Sequence, residues 1–179
     1  MTQALLIVDF QNDFTPGGAL EVPDGHAIAG RLNELAADPR FELVIATRDW
    51  HPPDHGSFDE RGGIWPVHCV QGTEGAELHP DLDRSRLDLV IDKGQDPATE
   101  GYSAFEATGL EGLLHERAVD RLTIVGLATD VCVLNSARDA LELGFQVEVD
   151  LEGTRGVDVQ EGDSERALDE LRGRGAELR

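Results

Sequence analysis

The chain has 179 residues, enough for one domain (1–179) with a sizeable core. Fifteen basic residues against 36 acidic ones leave a formal charge of −21, which argues against nucleic acid or an anionic membrane as a partner. Only two cysteines are present, Cys69 and Cys132, too few for a disulfide framework and no sign of an oxidising compartment.

The N-terminus has no basic segment and only a short apolar run, so neither a signal peptide nor a membrane span is expected, and the cytoplasm is the expected location. That run, Ala4 to Val8, reads as the first strand and ends at Asp9. Residues 24–37 carry apolar side chains at helical spacing, and 41–47 read as the second strand. The next stretch, 48–84, is rich in proline and glycine and has no clear period. A loop of that length inside a compact domain is more often functional than not. Residues 87–91 read as the third strand, 112–117 as a short helix, 122–127 as the fourth strand and 130–143 as a helix stopped by Gly144. A fifth strand at 145–149, a helix at 160–172 (or starting at Ser164) and a short strand at 176–178 complete the pattern. Apolar strands alternating with helices predict an α/β fold with a parallel sheet covered on both faces. Ligands of such sheets sit beyond the carboxyl ends of the strands, where Asp9, Asp49, Lys93 and Cys132 are all expected.

Cys132 follows the fourth strand, with Asp130 read as the N-cap of the next helix. A thiol there lies in the positive end of the helix dipole, which favours the thiolate, and free N–H groups at the same turn could receive an oxyanion. A lone cysteine in this position is more often a small core residue, so its neighbours decide. Lys93 is the only lysine in the chain. An arginine could supply surface charge equally well, so its retention points to a need for a compact ammonium. Asp9, Lys93 and Cys132 together offer a proton acceptor, a cation and a nucleophile. On the long loop, Asp49 and His51 are two residues apart and face one way in an extended segment. Joined by His68, they could hold a divalent metal with open positions. His55 is a further candidate on the same loop. His26, His79 and His115 lack such context and read as surface residues. Phe14 and Trp65 could be core, or could line a pocket for a flat aromatic ligand.

The matching segments are Leu6-Ile-Val-Asp-Phe-Gln-Asn-Asp-Phe14, Thr47-Arg-Asp-Trp-His-Pro-Pro-Asp-His55 and Trp65-Pro-Val-His-Cys-Val-Gln-Gly-Thr-Glu-Gly-Ala76. Lys93-Gly94, Tyr102-Ser-Ala-Phe105 and Gly126-Leu-Ala-Thr-Asp-Val-Cys132 complete the set. In this order they resemble the isochorismatase-like hydrolases and, among them, the nicotinamidases. The resemblance implies a three-layer α/β/α fold with a six-stranded parallel sheet. It implies Asp9, Lys93 and Cys132 as catalytic residues, and a cis Leu127–Ala128 peptide with the N–H groups of Ala128 and Cys132 as the oxyanion hole. It also implies Asp49, His51 and His68 as ligands of one divalent metal, zinc first, with iron and manganese as alternatives. His55 is left as either a fourth ligand or a contact to metal-bound water, and Phe14 and Trp65 would flank the substrate ring. The implied activity is amide hydrolysis of nicotinamide to nicotinate and ammonia through a cysteine thioester, in NAD salvage. The alternative is another amidase or carbamoyl hydrolase of the same superfamily. The implied partner is a small molecule, and a homo-oligomer is compatible with the sequence.

Overall fold

The computed structural model describes residues 1–179. Six strands, β1 (Thr2–Val8), β2 (Leu43–Asp49), β3 (Leu89–Lys93), β4 (Val119–Leu127), β5 (Gln146–Arg155) and β6 (Glu177–Leu178), form one sheet in the order β3-β2-β1-β4-β5-β6. Every neighbouring pair is parallel. Four helices join them: α1 (Ala29–Ala36), α2 (Leu110–Glu116), α3 (Leu134–Glu142) and α4 (Asp163–Gly173).

The alternation along β1 shows how the layers arise. Leu5 and Ile7 point to one face and pack with Leu32 and Leu35 of α1 and with Phe10, Leu78 and Leu82 of the connecting loops. Ala4, Leu6 and Val8 point to the other and pack with α2, α3 and α4 through Leu114, Ala137 and Leu171. Both faces of the central strands are buried, which is why their sequences read as continuous apolar runs. The three-layer α/β/α expectation holds. No helix is long and apolar enough to cross a membrane.

Several boundaries differ from the sequence reading. β3 runs two residues later, so Lys93 is the last residue of the strand, as Asp49 is of β2, rather than lying beyond it. The expected helix at 24–37 divides into a 3₁₀ turn (Gly25–Ile28) and α1. Asp130 is no N-cap: a π-helical turn, Thr129–Val133, precedes α3, and the Asp130 carboxylate accepts the N–H groups of Val157 and Asp158 at 2.9 and 2.8 Å. β5 continues six residues past Val149, because a register shift between Ile124 and Gly126 lets pairing resume at Thr154 and Arg155.

The switch in strand order lies between β1 and β4, the two strands that start next to each other and send their connections to opposite sides. Such a reversal opens a crevice at the carboxyl edge of the sheet.

Candidate active site

Asp9 follows β1 directly, with φ of 49° that turns the chain out of the sheet. Thr47 fixes it: the Asp9 N–H donates to Thr47 O at 3.2 Å, and the Thr47 hydroxyl donates to Asp9 Oδ1 at 2.7 Å. Asp49 and Lys93 are register partners on β2 and β3, so their side chains leave the sheet edge together. Cys132 enters from the other side of the switch, in the π-helical turn after β4. The Leu127–Ala128 peptide just before that turn is cis, in accord with the resemblance.

Lys93 is at the centre and is wholly buried. Its Nζ donates to Asp49 Oδ1 at 2.6 Å, Gly101 O at 2.9 Å and Cys132 Sγ at 3.5 Å. Asp9 Oδ2 lies 2.8 Å from the same nitrogen, a fully buried ion pair. Carboxylate oxygens of Asp9 and Asp49 and the Cys132 sulfur lie within 4.8 Å of one another.

Burial opposes the Lys93 ammonium, but Asp49 and Asp9 outweigh it and hold the pKa well above the usual lysine range. Burial lifts the Asp9 carboxyl to about 6, against Lys93, which lowers it. Burial also pushes the Cys132 thiol well up; Lys93 works against this and the two carboxylates add to it. Burial thus favours the neutral thiol, and the Lys93 charge pulls the other way, towards the thiolate.

The second grouping adjoins the first. Asp49 Oδ2 lies 3.3 Å from His51 Nε2 and 3.8 Å from His68 Nε2. The opposite ring nitrogens are 2.7 Å from carbonyl oxygens, His51 Nδ1 from Gly94 O and His68 Nδ1 from Pro66 O. A carbonyl only accepts, so each Nδ1 carries a hydrogen. Burial opposes the His51 imidazolium, but Asp49 outweighs it and raises that pKa. In the neutral rings each Nε2 turns a lone pair towards Asp49. Two imidazole lone pairs and a carboxylate oxygen converging in a buried space fit a divalent cation. His55 lies against His51 with ring centres 4.0 Å apart and planes tilted by 32°, and its Nε2 is buried without a hydrogen-bond partner, which fits the same reading. Burial pushes the His55 imidazole down to about 4, leaving it neutral. Phe58, wholly buried, packs against all three rings. Gly94 is required here: its φ is +66°, and a Cβ would sit 2.6 Å from the His51 ring.

A small pocket, lined mostly by apolar side chains, opens onto both groupings. Phe14 and Trp65 line it, as do Tyr102, Ala128, Val131 and Val157. Trp65 Nε1 donates to the Tyr102 hydroxyl at 2.9 Å, and Phe14 lies against the His68 ring with centres 5.6 Å apart. Phe14, Asp49, His51, Trp65, His68, Ala128 and Cys132 line this space, while Asp9, Lys93 and His55 are buried next to lining residues. His26 and His115 are exposed, as read, but His79 is half-buried and packs on Phe10. The sequence reading missed Thr47 and Phe58, and gave Tyr102 no role although it is the only tyrosine. Val131 and Val157 carried no signal at all.

A parallel sheet whose carboxyl edge gathers a thiol, a carboxylate and an ammonium holds the groups that hydrolysis through a cysteine nucleophile needs. The isochorismatase domain matches residues 3–179, and the chain belongs to that family. The nicotinamidase of Escherichia coli (strain K12) is 42% identical over 199 residues, which span 98% of this chain and 93% of that one. PnC1 from L. infantum, solved in complex with nicotinate, superposes with a TM-score of 0.94 at 39% identity, covering 99% of this chain and 92% of its own. The pyrazinamidase of Pyrococcus horikoshii, solved in complex with zinc, gives a TM-score of 0.90 at 44% identity and covers 100% of this chain and 99% of its own.

Proposed function

We propose that this protein hydrolyses nicotinamide to nicotinate and ammonia, in NAD salvage, through a thioester on Cys132. The observation that carries the reading is the contact of Lys93 with Asp9, Asp49 and Cys132 beside the converging His51 and His68, in one pocket walled by Phe14 and Trp65.

Asp9 takes the proton of Cys132, and Lys93 compensates the negative charge as the thiolate forms. The sulfur attacks the carboxamide carbon, and the N–H groups of Ala128 and Cys132 receive the oxyanion. The proton held by Asp9 passes to the leaving nitrogen, ammonia departs and a thioester remains. Asp9 then removes a proton from a water that attacks the thioester. The sulfur departs and takes back the proton from Asp9, and the acid formed gives up its own proton to solvent and leaves as nicotinate. Phe14 and Trp65 hold the pyridine ring between them. Asp49, His51 and His68 would hold a divalent metal, with His55 a fourth ligand or a contact to its water. When bound, the ion supplies Lewis acidity and open positions for the ring nitrogen and a water. Zinc is the first candidate, and iron and manganese suit the same donors. The substrate is a small neutral molecule, and the acidic surface disfavours nucleic acid and anionic membranes as partners; we place the enzyme in the cytoplasm.

Ammonia release from nicotinamide by the purified protein tests this reading. Treatment with a strong chelator is expected to lower the rate at least about tenfold, with recovery on adding zinc. Full activity of protein shown to be metal-free would remove the metal from the account. The pH profile gives a second test. Asp9 works as a base only when ionised, and its pKa is about 6. The expected kcat/KM therefore rises with pH through about 6 and then levels, falling about tenfold per pH unit well below that value. A profile flat from pH 5 to 8 would exclude Asp9 as the base.

A further inference from the structure

Between Asp9 and Phe14 lies a polar turn, Phe10-Gln-Asn-Asp, to which the proposed chemistry gives no part. Gln11 in that turn is completely buried. Its side-chain Oε1 accepts the Asp49 N–H at 2.8 Å, and its Nε2 donates to Asp49 O at 2.8 Å and to Ala76 O at 2.7 Å. The backbone ladder between β1 and β2 runs from Ala4–Leu43 to Ile7–Ala46 and ends where the chain turns out at Asp9. The Gln11 amide stands in for the missing strand. It gives the Asp49 residue the donor and the acceptor that a continued β1 would have offered. Asp13 extends the same support: its Oδ2 accepts the Cys69 N–H at 2.7 Å, and Cys69 O accepts the His51 N–H at 2.9 Å. Cys69 directly follows His68, so one turn reaches the backbone beside all three converging donors.

We infer that Gln11 is a positioning residue that sets Asp49 against His51 and His68 and thereby fixes the affinity of this site for a divalent cation. The inference rests on the reading of those three residues as metal donors. Outer groups that orient metal ligands typically govern affinity by about 10- to 100-fold.

The test is zinc affinity, measured on the full chain by competition with a chromogenic chelator, for Gln11→Glu and Gln11→Leu. Gln11→Glu keeps the volume and the acceptor for the Asp49 N–H but turns an oxygen towards Asp49 O and Ala76 O. Its zinc Kd is expected to rise about 10- to 100-fold, with kcat largely recovered at saturating zinc. Should Gln11→Leu fail to fold, the near-isosteric Gln11→Glu carries the test. Asn33 is the control, because its amide makes a similar clamp elsewhere, donating to Asp81 O and accepting the Asp83 N–H, both at 2.8 Å. Asn33→Leu is expected to bind zinc as the parent does. Unchanged affinity in Gln11→Glu, or an equal loss in Asn33→Leu, would overturn the inference alone. A parent protein that binds no zinc, iron or manganese would overturn the metal reading and the inference with it.

Discussion

Cys132→Ala is expected to lower nicotinamide turnover by about four orders of magnitude or more while ligand binding stays measurable. The sulfur lines the pocket wall, and its side chain is small, so its removal leaves the Phe14 and Trp65 walls in place. Nothing nearby can replace it: the other cysteine, Cys69, is fully buried and does not line the pocket. The variant also loses the partner whose deprotonation Lys93 compensates, but the Lys93 contacts to Asp9, Asp49 and Gly101 remain, so little stability should be lost. A rate assay paired with ligand titration checks both halves. Turnover near the parent rate would mean that the thiol is structural and that the hydrolysis follows another route.

Substitution of Lys93 is expected to damage both folding and catalysis. Lys93→Met fills much of the same volume but leaves Asp9 and Asp49, both buried, without their shared cation. Removing one partner of a buried ion pair costs about 3–5 kcal/mol. In metal-free protein the loss should be largest at neutral pH. Without the lysine, the Asp9 carboxyl, already above its unfolded value through burial, rises further, and Asp49 loses the charge that holds it down. Protonation then favours the folded chain, so the deficit should shrink as pH falls towards the ordinary carboxylate range. Lys93→Arg separates charge from shape. It restores a cation, so part of the stability should return. The planar guanidinium, however, cannot place one compact donor among a carboxylate, a carbonyl and a sulfur in a fully buried space, so activity should stay low. Denaturant unfolding across pH, with the rate assay, checks these outcomes. Full activity in the Lys93→Arg variant would refute the need for an ammonium.

That need was already visible in composition. In a chain with one lysine, Lys93 stands out without any alignment, and its place after an apolar run led to the sheet edge. Asp9 and Cys132 were legible for a related reason: a polar or reactive residue directly after a buried strand has few places to go but the crevice. Asp49 and His51 were legible as a pair from their spacing, and His68 from its motif. What could not be read depends on contacts between distant segments. The tautomer of His51 is set by Gly94 O, 43 residues away, and the position of Asp49 by Gln11, 38 residues away. The upward shift of the Cys132 thiol follows from burial and from the two carboxylates, whereas a local reading sees only a helix terminus and a cation. Asp130 looked like a cap because it precedes a helical pattern. Its carboxylate instead serves a loop 27 residues on, which brings Val157 to the pocket wall. The end of β5 was hidden because the apolar run stops at Val149, while the register shift in β4 is what lets pairing continue.

The central claim is that the reaction passes through an acyl group on one sulfur. Acid quenching during nicotinamide turnover, followed by digestion and mass spectrometry, tests it most directly. The account predicts a nicotinoyl group on the peptide containing Cys132, removable by hydroxylamine. Acylation of a different residue, or undiminished turnover after Cys132 has been fully alkylated, would contradict it.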